Sequence, residues 1–178
     1  MDFDLESSVA ILKRTPRVVS MLLTGLGEEW TKANYGPNTW SPCEIVGHLI
    51  WGDRTDWIPR ARHILQYGRE QPFEPFDRAG HDALCQEYDL AELLDIFATE
   101  RDESLRVLKS LQLTPEQFAM EGEHPALGVA TLSQLLATWT VHDLNHIAQI
   151  CKAMAFQYKP AVGPWEEYLS ILAPPNPR

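Results

Sequence analysis

The stretch from Thr131 to Met154 constrains the fold more than any other part of the chain. Its residues, TLSQLLATWTVHDLNHIAQICKAM, repeat apolar side chains with the period of one long amphipathic helix. His142 and His146 are four residues apart, so they lie one turn apart on the same helix face, which Trp139 shares. The core of a helical bundle rarely accommodates two adjacent imidazoles without a use for them. The pattern therefore indicates half or more of a metal site.

Three further segments have helical periodicity, and they are Asp4–Leu23, Ser41–Tyr67 and Leu90–Leu111. Pro16 is expected to kink or split the first segment, and Pro59 is expected to bend the second. Ser41, Pro42 and Glu44 form a capping box, as do Thr131 and Gln134 at the start of the last helix. Because no strand-like alternation of useful length occurs, four long helices with long connections predict an all-α four-helix bundle.

The connections differ in length. Glu28–Trp40 and Glu121–Ala130 are predicted loops, Thr114–Gln117 is a predicted helical turn, and Trp165–Leu172 is a predicted short helical piece. The irregular segment Gly68–Asp89 is unusually long for a compact domain, which is typical of a functional loop or of a crossover between two helices.

Composition restricts the class of protein. The 178 residues fit a single domain, 1–178, and contain 44% hydrophobic and 22% charged residues, which are ordinary globular values. A net charge of −10 with dispersed acids argues against binding to nucleic-acid phosphates. No apolar run reaches the length of a membrane helix, and the first residues are acidic, so we expect a soluble cytoplasmic protein. The three cysteines form no CxxC pair and are predicted to be reduced thiols.

An HxxxH pattern on a helix occurs more often by chance than as part of a metal site. In this chain Asp143 also replaces the glutamate of the metalloprotease HExxH motif, so that motif is absent here. The position of the pair on the core face strengthens the metal interpretation, but a third ligand is required. His48 is the best candidate, because it shares an apolar helix face with Ile45. The remaining histidines, which we interpret as structural or solvent-facing, are His63, His81 and His124.

Three converging neutral imidazoles would leave a coordination position open, which is typical of catalytic rather than structural sites. Such a site activates water or a thiol; zinc is the first expectation, and nickel, iron or manganese are compatible with the same ligands. Asn145 and Gln149 would flank the ligands. Asp53 and Asp56 lie one to two turns beyond His48, where a carboxylate could orient a ligand or act as a base, but the favoured interpretation is that both face solvent. Arg101 interrupts the apolar face of its helix. Two alternatives are expected for its side chain: it extends to solvent, or it pairs with an acid across the bundle.

Two stretches of the chain resemble the motifs of the DinB superfamily. The first is WSPCEIVGHL, residues 40–49, and the second combines HPALG, residues 124–128, with HDLNHIAQI, residues 142–150. The similarity extends over most of the chain, from about Leu5 to Met154. It implies a four-helix bundle of up-down-down-up topology and a divalent metal held by His48, His142 and His146.

The resemblance also implies a range of activities, because relatives include thiol S-transferases that use low-molecular-weight thiols such as bacillithiol, mycothiol-dependent isomerases and metal-dependent hydrolases. The leading hypothesis is a metal-dependent transferase that joins a low-molecular-weight thiol to a small electrophile. The alternatives are a hydrolase of a small substrate and a non-catalytic metal-binding stress or interaction protein. The expected partners are a small-molecule substrate and a second copy in a homodimer, with no nucleic acid and no membrane. The family does not share one acid or base residue, so the resemblance assigns no catalytic residue.

Overall fold

Helices dominate residues 2–173, the part of the chain that this computed structural model describes. The α-helices are α1 (Leu5–Leu12), α2 (Thr15–Leu23), α3 (Glu28–Thr31), α4 (Pro42–Thr55), α5 (Trp57–Tyr67), α6 (Asp82–Glu87), α7 (Leu90–Ser110), α8 (Pro115–Phe118) and α9 (Leu132–Gln157). Two strands, β1 (Glu121–His124) and β2 (Gly128–Thr131), precede α9, and three 3-10 turns follow it at Lys159–Ala161, Gly163–Tyr168 and Ser170–Leu172. No helix in this range is both long enough and apolar enough to cross a membrane.

The four bundle helices are α1 with α2, α4 with α5, α7, and α9. The predicted split near Pro16 is confirmed, since α1 ends at Leu12 and α2 has this proline in its first turn. The second predicted bend lies earlier than expected, with a break at Asp56 rather than at Pro59. The physical reason is that Pro59 has no N–H to donate to the carbonyl of Thr55, so the helix changes direction where that hydrogen bond is lost.

The core consists of two apolar clusters, one at each end of the bundle. The first cluster contains Leu12, Trp57, Ile58, Ala61, Ile64, Phe73, Leu105, Leu108, Leu132, Leu135, Leu136 and Trp139. The second cluster contains Val19, Leu23, Cys43, Ile45, Val46, Leu49, Ile50, Leu84, Leu93, Leu94, Phe97 and Ile150. Each bundle helix contributes to both clusters, so burial of these side chains holds the four helices together along their whole length.

The clusters also define the direction of each helix. The α1–α2 segment and α9 run from the first cluster to the second, whereas α4–α5 and α7 run from the second to the first. The predicted up-down-down-up topology is therefore confirmed. Since α4–α5 and α7 are parallel neighbours, the chain must return along the whole bundle between them. Residues 68–89 make that return, which explains their length and supports the crossover interpretation.

One predicted loop is wrong. Residues 121–131 form an antiparallel hairpin in which Glu121 pairs with Thr131 and His124 pairs with Gly128. The turn is stabilised by the Nδ1 atom of His124, which accepts hydrogen bonds from the backbone N–H groups of residues 126 and 127, both at 3.1 Å. Gly128 has a φ of +78°, a conformation that glycine adopts without strain. Four-residue strands of mixed polarity produce no alternation that a sequence pattern reveals.

The hairpin is locked to the bundle at Gly122. A Cβ atom at this position would lie 2.7 Å from Cγ1 of Ile64 and 2.8 Å from Cζ of Phe73. We expect Gly122→Ala to lower the free energy of unfolding by about 1–3 kcal/mol, because an added methyl group must displace two buried side chains. Urea unfolding measures this value. Val129→Ala on the exposed side of the hairpin is the matched control, for which we expect a change of less than about 0.5 kcal/mol. Equal losses in both variants would contradict the packing argument.

Candidate metal centre

Two long helices deliver three histidines to the middle of the bundle. Helix α4 begins at the Ser41 capping box, in which the hydroxyl accepts from the N–H of Glu44 and the glutamate carboxylate accepts from the N–H of Ser41. This start is fixed locally, and His48 follows two turns later on the buried face. Helix α9 begins in the same way at Thr131 and carries His142 and His146 one turn apart.

The three imidazoles converge through their Nε2 atoms. The Nε2 atom of His142 lies 3.1 Å from that of His48 and 3.1 Å from that of His146. One ligand atom from each ring falls within 4.8 Å of the other two. Nitrogens that share one metal ion at bonds of about 2.0–2.1 Å must approach each other this closely. The predicted set His48, His142 and His146 is thus brought together by the fold, and its geometry fits a divalent ion.

Aromatic packing orients the three rings. The indole of Trp40 lies 4.6 Å from the ring of His48 and stacks on that of His146 at 6.0 Å. Trp57 meets the ring of His142 edge to face at 5.0 Å. Within residues 2–173, the Nδ1 atoms of His48 and His142 are buried without a hydrogen-bond partner. Their orientation therefore depends on these indoles rather than on the carboxylate or carbonyl acceptors that usually hold metal-binding histidines.

The environment keeps the imidazoles neutral. Burial lowers the pKa of His48 to about 3, with a further contribution from the neighbouring His146. Burial also lowers the pKa of His142 to about 2, and the other two histidines and Arg101 add to the effect. A neutral imidazole has a free electron pair for a metal, whereas a protonated one has none. These rings are consequently in the binding-competent form across the physiological pH range.

Acidification is expected to destabilise the metal-free protein. Below the ordinary histidine pKa of 6.5, the unfolded chain takes up protons at His48 and His142 that the folded chain excludes. Their contribution is fully present above pH 6.5 and is lost as the pH falls, by about 2 kcal/mol for each ring near pH 5. Asp53 acts in the opposite direction, because burial raises its folded pKa to about 6 and the folded chain takes up that proton first. We expect a net loss of about 1–3 kcal/mol near pH 5.

Urea unfolding of the metal-free protein at neutral and mildly acidic pH measures this loss. The matched control is the double variant His48→Gln, His142→Gln, which has neither titrating ring and should lose much less stability on acidification. If the wild type and the double variant showed the same pH dependence, the buried imidazoles would not be its source.

A surface groove gives access to the site. It has a volume of about 550 Å³ and is lined by Gln134, Ala137, Thr138, Val141, His142 and Asn145. His142 is half-buried, whereas His48 and His146 are buried, so the site opens to solvent along the outer face of α9. The groove is mainly apolar, and none of the residues that line it is acidic. A small molecule with an apolar part that binds in this groove would contact His142, which is the one of the three histidines that lines it.

A buried ion network lies beside the histidines. The guanidinium of Arg101 donates to the Asp53 carboxylate from Nε at 2.8 Å and from Nη2 at 3.1 Å. It also donates to both oxygens of Asp143 and, at 3.1 Å, to the carbonyl of Leu12. All five N–H groups are therefore used, and the side chains of the three charged residues are at most 1% exposed. The network joins α4, α7 and α9 next to the ligands that α4 and α9 carry.

This network shows that the predicted exposure of Asp53 is wrong, and it selects one of the two predicted roles of Arg101. Asp53 was predicted to face solvent and is buried, because the parallel packing of α4 and α7 places it opposite Arg101. The arginine pairs with acids across the bundle, which was one of its two predicted roles. Asp56 is also mostly covered and pairs with Arg60 at 2.7 Å, so the expectation of a solvent-facing carboxylate is wrong there as well.

His81 is not one of the three converging histidines, but it lies beside them. This residue precedes α6 in the crossover segment, is 1% exposed, and lies 5.6 Å from the ring of His48 and 4.9 Å from that of Trp40. Neither ring nitrogen has a hydrogen-bond partner among the described residues; the carboxylate of Asp82 is 3.6 Å away. An irregular segment has no periodicity that assigns a face to its residues, so the sequence contained no signal for this contact.

The predictions for the remaining residues near the ligands have different outcomes. His63 bonds to the carbonyl of Gln71 and His124 stabilises the hairpin turn, so both have structural roles. Asn145 is exposed and lines the groove beside His142, whereas Gln149 is half-buried and does not line it. No hydrogen bond from either amide to the imidazole of His48 or His142 is seen in the described part of the chain.

Comparisons with known proteins agree with this architecture. A sequence profile described as the DinB superfamily matches residues 11–150. Among solved structures, the chain is similar to YfiT from Bacillus subtilis, whose description is a probable metal-dependent hydrolase with an unusual four-helix bundle topology. The two share 19% sequence identity and a TM-score of 0.70, over 89% of this chain and 87% of the other. At this identity the likeness shows a shared fold. No curated protein matches the chain at a significant level.

Proposed function

This chain belongs to the DinB superfamily, whose profile covers most of its length, and on that premise we propose that it is a metal-dependent enzyme of small-molecule chemistry. His48, His142 and His146 hold a divalent ion through their Nε2 atoms. The observation that carries this proposal is the convergence of three imidazoles beside an open groove, two of them held neutral by burial. A bound divalent ion supplies a Lewis acid that lowers the pKa of a water or thiol placed on it. Zinc is the first candidate, with nickel, iron and manganese as alternatives.

We propose thiol transfer to a small electrophile as the reaction. Deprotonation on the metal is sufficient to activate a thiol, so this reaction requires no separate carboxylate base. A reaction without a carboxylate base suits this site. The carboxylates of Asp53 and Asp143 are both hydrogen-bonded to Arg101, and no acidic residue lines the groove. The apolar lining of Ala137 and Val141 provides a surface for the electrophile, and the amides of Gln134 and Asn145 provide polar contacts.

Hydrolysis of a small substrate is the second candidate, favoured by the description of YfiT as a probable metal-dependent hydrolase. A hydrolase gains from a group that accepts the proton of the attacking water. His81 is the side chain that would supply it, because it is buried next to His48 and neither of its ring nitrogens has a hydrogen-bond partner among residues 2–173.

A paired activity screen separates these reactions. Protein loaded with zinc, nickel or manganese is mixed with low-molecular-weight thiols and a chlorodinitrobenzene electrophile, and in parallel with nitrophenyl esters and phosphates. We expect thiol-dependent conjugation that disappears in His146→Ala and persists in His63→Ala, which retains the three ligands. Metal-dependent ester or phosphate cleavage without conjugation would favour the hydrolase. Metal binding without turnover in either assay would overturn both activities and leave a non-catalytic metal-binding protein.

A further inference from the structure

A pair of cysteines lies on the side of α4 that faces the crossover segment. Cys43 is the second residue of α4, and Cys85 belongs to α6. The thiol of Cys85 donates to the backbone carbonyl of Cys43 at 3.8 Å, and each of the two thiols shifts the pKa of the other. These residues are 42 positions apart in the chain, so the fold, not the sequence, creates the pair.

The helix backbone is shaped to receive the second thiol. A Cβ atom on Gly47 would lie 2.6 Å from the sulfur of Cys85 and 3.6 Å from the backbone carbonyl of His81. Gly47 is one turn after Cys43, on the same side of α4. The absence of a side chain at this position therefore allows α6 to approach α4 closely enough to hold Cys85 against Cys43.

From this juxtaposition we propose that Cys43 and Cys85 form a redox modification site, at which a peroxide converts the two thiols into an intramolecular disulfide. All three cysteines of the chain are free thiols in the structure. Reversible disulfides of this kind in reducing compartments serve mainly as redox sensors rather than as structural crosslinks. The site is separate from the three histidines and needs neither the metal nor the proposed transferase activity.

The two thiols have different roles. The hydrogen bond from Cys85 is the largest cause that lowers the pKa of Cys43, and the ammonium group of Lys32 acts in the same direction. The Cys43 sulfur also lies in the first turn of α4, where the free N–H groups of the helix favour a thiolate. The pKa of Cys85 is raised, chiefly by the same hydrogen bond. Cys43 is thus the nucleophile, and Cys85 is the thiol that reacts second.

The chemistry balances in two steps. The Cys43 thiolate attacks one oxygen of the peroxide, which forms an S–O bond, breaks the O–O bond and releases hydroxide or alkoxide. The Cys85 thiol then attacks the sulfur of the resulting sulfenic acid, which forms the S–S bond, breaks the S–O bond and releases water. Two electrons pass from the thiols to the peroxide. Cys43 is 8% exposed and Cys85 is half-buried, so the pair is reached by a small oxidant more easily than by a large one.

Peroxide titration of the full-length, zinc-loaded protein tests the proposal. After treatment with hydrogen peroxide, free thiols are alkylated under denaturing conditions and the protein is analysed by intact mass and peptide mapping. We expect a Cys43–Cys85 linked peptide and alkylation of Cys151 alone. We expect the Cys43–Cys85 disulfide to form before Cys151 is oxidised, because Cys43 has a lowered pKa and a second thiol beside it.

Three variants distinguish the roles of the thiols. Cys85→Ser should leave a sulfenic acid on Cys43 that a 1,3-diketone reagent traps, whereas Cys43→Ser should give no rapid oxidation. Cys151→Ser is the matched control and should form the disulfide at the wild-type rate. The wild-type measurement does not depend on the folding of any variant. Equal oxidation of all three cysteines, or a linkage that involves Cys151 or a second chain, would overturn the proposal.

Discussion

His146→Ala is expected to lose more than about a hundredfold in affinity for a divalent metal while the bundle still folds. Loss of a hydrogen bond to a ligand already costs about ten- to a hundredfold in metal affinity, and removal of the ligand itself should cost more. The Nε2 atom of His146 lies 3.1 Å from that of His142, so its loss leaves two ligands in place of three. His146 is not a member of either apolar cluster, so both clusters stay intact and we expect the metal-free protein to lose only about 1–2 kcal/mol.

Thermal unfolding with and without zinc measures this effect. A metal at about a thousand times its dissociation constant stabilises a protein by about 4 kcal/mol through mass action, and the variant should lose this increment. His63→Ala is the matched control, because that imidazole bonds to Gln71 and lies outside the cluster. Metal content determined by elemental analysis should fall in His146→Ala and stay unchanged in His63→Ala. Wild-type occupancy in His146→Ala would refute the assignment of the three ligands.

Arg101→Met is expected to lower the free energy of unfolding by about 3–5 kcal/mol, a large part of the 5–15 kcal/mol that holds a typical domain together. The methionine would fill the space, but Asp53 and Asp143 would be left as buried carboxylates without a counter-ion. Arg101→Lys should recover part of the loss, because an ammonium group has three donors and cannot replace the five N–H groups of the guanidinium.

Two further variants test whether the loss of stability in Arg101→Met comes from the unpaired buried carboxylates. The triple variant Arg101→Met, Asp53→Asn, Asp143→Asn removes all three charges and should be more stable than Arg101→Met alone. Arg54→Met removes an arginine from the neighbouring surface pair with Glu100, and we expect a change of about 1 kcal/mol or less. If Arg101→Met and Arg54→Met were equally stable in urea, the buried network would contribute no more than an exposed ion pair.

The sequence predicted the features that depend on local interactions. The capping boxes at Ser41 and Thr131 are confirmed, because each involves residues three positions apart and is independent of the remaining fold. Helical periodicity also placed His142 and His146 on an inward face. The apolar helix face that His48 shares with Ile45 made it the best candidate for the third ligand. The resemblance to a known family supplied the reason to join it to the other two, because no local pattern relates residues in two different helices. The four-helix bundle is confirmed, whereas the homodimer, the cytoplasmic location and the single-domain boundary stay predictions.

The features that the sequence did not predict depend on how the helices pack. Asp53 is a charged residue of a type usually found at the surface. It is buried because the parallel arrangement of α4 and α7 places it opposite Arg101. The contact of His81 with His48 depends on the path of the crossover segment. The association of Cys43 with Cys85 depends on the close approach of α6 at Gly47. Tertiary packing determines all three, and periodicity within one element has no information about it.

The separation of the ligands along the chain has a consequence for protein synthesis. His48 and His142 are 94 residues apart, and they meet only when α9 packs against α4. During translation, the chain therefore has no three-histidine site until nearly all of the bundle has left the ribosome. A fragment that ends before α9 contains one of the three ligands and cannot compete for the metal. Metal capture would then follow completion of the bundle and would favour the completed bundle over fragments that lack α9.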